Sequence, residues 1–405
     1  MLNKWLSNAN RKLTKDQMSL LMKTVGEIPL PLFLRLTFDQ ATKWKSYQDI
    51  NTISLEKNVK DSIKRLLKDL ERMHGKYLVA HALGLITCSK YGLSDAEVDD
   101  ILSIDDEVLN DVYQYWVPPV RRIPSLLWIR IRNDLGSYIV YRGASGVLVN
   151  NWYHRQFIET ATERYLESAE ERLKLHTLLV DYFLGKWSNG KVKPFTNKSG
   201  EAGEENRLVA AQPNVFEKRE EELVGDKKRG KSGQDSSDVF NYRKLSELPR
   251  HLIRSRDLEN LCEHVLFNFD FIFTKLCAFG YQTLVEDVVE ASKEFPEEKE
   301  IKTLVEVLKI SSRSLILDPN QFPTQLLGRL MPAKDEEGCS KNIQKLLDQA
   351  SNSGVKCFLP DRRCFDSPGG SLLHSLAGHT QNVTHVSFTE DKQRLISVAA
   401  DDTLR

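Results

Sequence analysis

Apolar residues recur at helical spacing along most of this chain and lose that spacing in one long stretch near its middle. Over residues 1–48 the stripe runs through Leu6, Leu13, Met18, Leu21 and Met22. Gly26-Glu27-Ile28-Pro29-Leu30-Pro31 interrupts it, because two prolines two apart break a continuous helix, although Pro31 is suited to opening the next. Leu32, Phe33, Leu34, Leu36 and Phe38 follow as a strongly apolar run. Between about 56 and 115 the pattern predicts three helices, the first carrying Val59, Ile63, Leu66, Leu67 and Leu70. The second covers 78–89. Gly92 then supplies a stop, Ser94 an N-cap, and Glu97 completes a capping box for a third helix over 95–102.

The pattern changes over 116–166. A helix at 126–135 ends at Gly136, strand-like runs at 138–141 and 147–149 flank a Gly-Ala-Ser-Gly turn, and Trp152-Tyr153-His154 leads into a helix through 166. Helices, a short hairpin and a further helix predict a winged-helix module. Residues 188–238 are rich in Lys, Glu, Gly, Ser and Asn, too poor in apolar surface to offset chain entropy, and are expected to be disordered. Residues 240–355 read as all-helical. The run Phe267, Phe269, Phe271, Phe273 alternates like a strand but is expected to be a buried helix or helix junction. The last segment, 370–405, shows short period-two strands and polar turns.

Charge and cysteine content narrow the functional classes. Lys plus Arg and Asp plus Glu are both 57 among 405 residues, a balance that argues against a general nucleic-acid or anionic-membrane binder. No apolar run approaches the ~18 residues of a membrane span. Six cysteines form no C-x-x-C pair, and they are expected to be reduced, mostly buried thiols of a cytoplasmic protein. Arg121, Arg122, Arg130, Arg132 and Arg142 would suit a DNA-binding winged helix. Trp128, Ile129 and Ile131 interleave with them, which favours snorkelling or contacts to a neighbouring domain. One G-x-x-x-x-G-K-S match occurs at Gly225 to Ser232. Glu220-Glu221-Glu222 precedes it and Gln234-Asp235-Ser236 follows, so the buried strand and packed helix of a working phosphate loop are missing. It reads as charged linker, and the chain is not expected to be an enzyme.

Two resemblances give these modules a common meaning. Leu376-Ala377-Gly378-His379, Val383, Val386-Ser387-Phe388, Asp391 and Ser397 through Asp401 fall in the order of a WD repeat, the unit of one propeller blade. The repeat breaks off at Arg405, so the chain is expected to be truncated downstream, with one incomplete, poorly packed blade. Upstream, Trp5-Leu6, Pro31-Leu32-Phe33-Leu34, Gly92-Leu93-Ser94-Asp95-Ala96-Glu97 and Trp152-Tyr153-His154-Arg155-Gln156-Phe157 resemble the second half of the NACHT and WD-repeat family of STAND-class NTPases. Leu248-Pro249-Arg250-His251-Leu252 and Asp318-Pro319-Asn320-Gln321-Phe322 resemble that family's helical spacer.

The resemblance implies a mainly α chain of helical-bundle and winged-helix modules, a helical spacer and one partial blade. It divides into the end of a nucleotide-binding region (1–55), a helical domain (56–90), a winged helix (91–187), a disordered linker (188–238), a spacer (239–356), and a linker with the partial repeat (357–405). It also implies a parent switch protein, closed with ADP and opened by ATP, that recruits protein partners through its WD region and contacts its own upstream nucleotide-binding domain. Membrane and nucleic acid are not expected partners, and no cofactor is expected within this chain itself. The resemblance puts His154 at the ADP phosphate and Pro31 against adenine. The residues alone leave a backbone-capping His154 equally open, and for Pro31 they favour a plain helix-opening proline. A nucleotide-independent adaptor and a DNA-binding regulator are the rival readings.

Overall fold

A computed structural model describes residues 2–114, 118–216, 239–332, 340–370, 376 and 378–405. The chain forms two units, Met1–Pro213 with Asn241–Arg256, and Asn214–Phe240 with Asp257–Arg405. Both are mainly α, as the spacing predicts.

The first unit begins with α1 (Leu2–Asn8), α2 (Lys15–Glu27) and α3 (Pro31–Ala41). Thr14 and Gln17 form a reciprocal capping box on α2. Next come α4 (Val59–His74), α5 (Lys76–Cys88), α6 (Asp95–Ile104) and α7 (Asp106–Val112). Sequence spacing predicts three helices in this region. The fourth, α7, exists because Asp105 both ends α6 and caps α7, accepting the amides of Glu107 and Val108 at 3.1 and 3.4 Å. The Ser94–Glu97 capping box is present as expected, with reciprocal bonds of 3.2 and 2.7 Å.

Then α8 (Ser125–Leu135) stops at Gly136, and β1 (Ile139–Ala144) pairs antiparallel with β2 (Val147–Trp152). Ser145 and Gly146 both have positive φ, which suits a tight two-residue turn. The wing is tied to the helices by Leu93, which exchanges backbone bonds of 3.3 and 2.7 Å with Asn150. That approach needs Gly92: its φ is +98°, and a Cβ there would sit 2.1 Å from the Asn150 carbonyl oxygen. Next are α9 (Arg155–Tyr165) and α10 (Ala169–Phe183). Phe33, Leu67, Trp128, Phe157 and Phe183 are fully buried core residues of this unit.

The expected disorder over 188–238 does not hold for its first part. Residues 192–206 form a hairpin, β3 (Val192–Thr196) with β4 (Ala202–Asn206). What orders it is mostly charge. Arg121 and Arg207 lie on Phe195, 4.1 and 5.3 Å from its ring centre. Both guanidinia are buried, and Arg207 donates to Asp106 at 2.7 Å. Lys193 also pairs with Asp106. Residues 217–238, with the 225–232 motif, lie outside the described residues. After them α11 (Tyr242–Arg254) returns to the first unit.

In the second unit β5 (Val215–Phe216) pairs with β6 (Val239–Phe240). Helix α12 (Leu258–Leu261) runs into a π-helical turn over Cys262–Leu266. The phenylalanine run is a helix junction: Phe267 ends the π-helical turn and the others lie in α13 (Phe269–Phe279), where Phe269 stacks on Phe273 and on Phe322, each at 5.6 Å. There follow α14 (Tyr281–Glu294), α15 (Lys299–Ile310), α16 (Ser312–Leu317), α17 (Phe322–Leu330) and α18 (Lys341–Ser351). Every residue of α17 is buried, which makes it the centre of this unit. A hairpin of β7 (Val383–Phe388) and β8 (Leu395–Ala399) closes the chain. The expectation of mostly buried thiols fails: of the five described cysteines only Cys88 is buried, while Cys277 and Cys364 are exposed.

Candidate functional site

Three helix starts in the first unit meet around a cavity of about 650 Å³. Leu30, Pro31, Leu32 and Arg35 line it from the start of α3, and Val59 from the first residue of α4. Ser137 and Tyr138 line it from the lead into β1, and Tyr153, His154 and Gln156 from the start of α9. Both residues singled out in the sequence, Pro31 and His154, therefore border one space.

Each is placed by helix-end chemistry. Pro31 is the first residue of α3 and has no N–H to satisfy. Leu30 before it offers no capping side chain, so the first-turn amides of α3 keep their donor capacity. His154 is the N-cap of α9, with an extended backbone, and its Nδ1 accepts the Gln156 amide at 3.2 Å. That bond puts the neutral ring's proton on Nε2. The backbone-capping reading of His154 is thus realised, and the outer ring nitrogen remains a donor.

The electrostatics favour an anion. Helix N-termini carry partial positive charge, and Arg35 adds a guanidinium whose charge Asp39, 3.3 Å away, partly offsets. No carboxylate is among the residues lining the cavity. Behind the lining, Tyr138 donates to Asp39 Oδ2 at 2.5 Å, and Arg35 Nε lies 3.3 Å from the same oxygen. Burial, then the Asp39 carboxylate, push the Tyr138 hydroxyl well above the usual phenol range. Tyr138 stacks on Phe157 at 4.9 Å and Trp152 on Phe157 at 5.5 Å, giving that side a rigid aromatic backing. The arrangement can hold a polyanion with an apolar group beside it.

The terminal hairpin joins residues that the repeat pattern marks. His379 Nε2 meets Ser397 Oγ at 2.8 Å, and Nδ1 lies 3.2 Å from both oxygens of Asp401 and from Thr403 Oγ1. The Thr380 amide and the Thr403 hydroxyl hold the Asp401 carboxyl far below its ordinary range. Val383, Val386, Phe388 and Leu404 are exposed, in keeping with a poorly packed blade. Ala377 of the motif, and residues 371–375 before it, lie outside the described residues.

Several charged groups escaped sequence reasoning because their partners are remote. Arg243 of α11 binds Glu97 at 2.8 and 3.1 Å and the Gly92 carbonyl at 2.7 Å. Glu247 accepts the Lys90 amide at 2.8 Å. Burial pushes the Glu247 carboxyl up, but His251, Arg243 and the Lys90 amide outweigh it and hold the group at about 2. His251 Nδ1 faces His176 Nδ1 at 2.9 Å. His81, Asp105 and Glu107 have the composition of a metal site. Their oxygens are already engaged, Asp105 capping α7 and holding His81 while Glu107 pairs with Lys174, so the group reads as a structural network. In the arginine cluster, Arg122 pairs with Asp100 and Arg132 with Asp95, both at 2.5 Å, and Arg121 is buried.

Residues 44–173 match a family described as an NWD1-like winged helix-turn-helix domain. The chain is 33% identical over 406 residues to NACHT domain- and WD repeat-containing protein 1 of Homo sapiens, covering 98% of this chain and 24% of that protein. It is 32% identical over 409 residues to the Mus musculus protein of the same name, covering 98% of this chain and 25% of the relative. Against NACHT and WD repeat domain-containing protein 2 of Mus musculus it is 30% identical over 341 residues, covering 81% and 19%. The chain thus spans about a quarter of the length of the first two relatives. No solved structure matches it significantly. Among the described residues no helix is long and apolar enough to cross a membrane.

Proposed function

The chain belongs to the NACHT and WD-repeat family, and from that premise we propose that it is the regulatory and scaffold part of a nucleotide-gated switch. The observation that carries the proposal is the shared cavity of Pro31 and His154 at converging helix starts. In this reading an adenine nucleotide lies between the cavity and an upstream nucleotide-binding domain. His154 donates its outer N–H to a phosphate oxygen, a charge-assisted bond that needs no movement of the capped ring. Leu30, Pro31 and Tyr153 supply the apolar surface beside the base. ADP holds the winged helix against the upstream domain, and exchange for ATP releases it. The chain binds and reports; it does not itself hydrolyse nucleotide. Its WD region recruits a protein partner, and the protein acts in the cytoplasm. The acidic partners of Arg122 and Arg132 speak against a DNA-reading face.

The test is ADP retention by a polypeptide that joins the upstream domain to this chain. His154→Ala is expected to weaken ADP by about tenfold or more, the worth of one charge-assisted bond. Wild-type retention by His154→Ala would leave the nucleotide-independent adaptor as the better account.

A further inference from the structure

The cavity contains one full positive charge that the sequence did not single out. Arg35 lies one turn into α3, and its side chain is 42% exposed. Its guanidinium carbon sits 5.6 Å from the Trp5 ring and 5.7 Å from the Phe38 ring, so two aromatic rings flank the group. Its nearest carboxylate is poorly used. Asp39 Oδ2 already accepts the Tyr138 hydroxyl at 2.5 Å. Arg35 Nε, 3.3 Å from that oxygen, is buried and makes no hydrogen bond. The pair is an ion contact without the two-pronged geometry that guanidinium and carboxylate adopt when free to align.

This arrangement lets the arginine exchange partners. If Arg35 turns from Asp39 to an anion in the cavity, Asp39 keeps the Tyr138 hydroxyl and is not left bare. A phosphate group offers two oxygens to the guanidinium fork, and His154 Nε2 is a second donor on the same lining. We propose that Arg35 is the phosphate-reading cation of this cavity, held in waiting by Asp39, and that it makes the site selective for nucleoside di- and triphosphates over nucleosides. The proposal rests on the nucleotide reading of the site. It adds which residue reads the phosphates and what competes for that residue. Asp39 and Arg35 are on α3, while Tyr138 and His154 belong to the winged helix, so a bound diphosphate would bridge α3 to the winged helix beside the existing Asp39–Tyr138 bond.

The experiment titrates the full 405-residue chain with adenosine, ADP and inorganic pyrophosphate by ligand-observed NMR, with thermal unfolding as the check on folding. Wild type is expected to bind ADP about tenfold or more tighter than adenosine. Arg35→Gln is expected to remove most of that gap and leave adenosine unchanged. Asp39→Asn, which removes the competing carboxylate, is expected to tighten ADP and pyrophosphate. An Arg35→Gln protein that keeps the wild-type ratio overturns the assignment of Arg35 and leaves the nucleotide reading standing. If Arg35→Gln does not fold, Asp39→Asn decides, and unchanged or weaker ADP binding overturns the proposal. Failure of wild type to bind any of the three at millimolar concentration overturns this proposal, while the nucleotide reading is decided separately by ADP retention in the polypeptide that carries the upstream domain.

Discussion

The paired imidazoles of His176 and His251 make the first unit acid-sensitive. They sit between α10 and α11, His176 95% buried and His251 completely so, with Nδ1 atoms 2.9 Å apart. Only one proton fits between those atoms, so one ring donates to the other and the two cannot both be protonated. Burial, then His251, then Arg250, Arg254 and Arg172 push His176 down to about 3, and burial pushes His251 down as well. The sign follows from the unfolded chain, where a histidine takes its proton near pH 6.5. Below that pH the unfolded state binds a proton that the native state refuses, so stability falls as pH drops from about 6.5 toward 3. Each pH unit costs about 1.4 kcal/mol per histidine, so His176 alone removes about 2 kcal/mol between pH 7 and pH 5. The assay is urea unfolding of wild type and His176→Gln at pH 7, 6 and 5, followed by tryptophan fluorescence. The glutamine still offers a partner to His251 but does not titrate. The variant is expected to lose about 2 kcal/mol less than wild type over that range. Parallel losses in the two proteins would refute the argument, because every other histidine is common to both.

Two further changes test how the unit is tied together. Gly92→Ala is expected to destabilise by about 3 kcal/mol or more, since it combines a positive φ with a collision against the Asn150 carbonyl and strains both Leu93–Asn150 backbone bonds. Thermal unfolding measures it, and a loss under about 1 kcal/mol would mean that the wing shifts freely. Arg207→Met is expected to free the β3–β4 hairpin, read as fast amide exchange over 192–206 with the rest of the unit still protected. Retained protection would show that Phe195 and Lys193 suffice without Arg207.

What the sequence disclosed was local, and what it hid was remote. The Ser94–Glu97 box, the stop at Gly136 and the hairpin of 139–152 follow from neighbours within a few residues, and all three are present. Helix α7 was hidden because Asp105 looks like the end of one helix and is also the cap of the next. Residues 188–216 were misread because composition counts apolar side chains, whereas Arg207 and Arg121 act here as core residues, paired with Asp106 and laid on Phe195. At the cavity, Pro31 and His154 were singled out through family resemblance, and both line it. Arg35 was not, because an arginine on an apolar helix reads as snorkelling until Tyr138 is seen to occupy its carboxylate.

The salt bridge between Arg243 and Glu97 ties together residues made far apart in time. Glu97 is 6% exposed, and Arg243 is its buried counter-ion. On the ribosome, roughly 5–20 residues are added each second, so Glu97 waits many seconds for its partner. During that interval the winged helix either leaves Glu97 in water or buries it with the Ser94 amide but no counter-ion, and the latter is a burden of about 3–5 kcal/mol. Its completion is therefore tied to emergence of residues beyond the 217–238 stretch, and a nascent chain paused there is expected to be a favoured substrate for chaperones. A winged helix cut at 187 would carry the same defect permanently, so the shortest stable form of this unit must include Arg243.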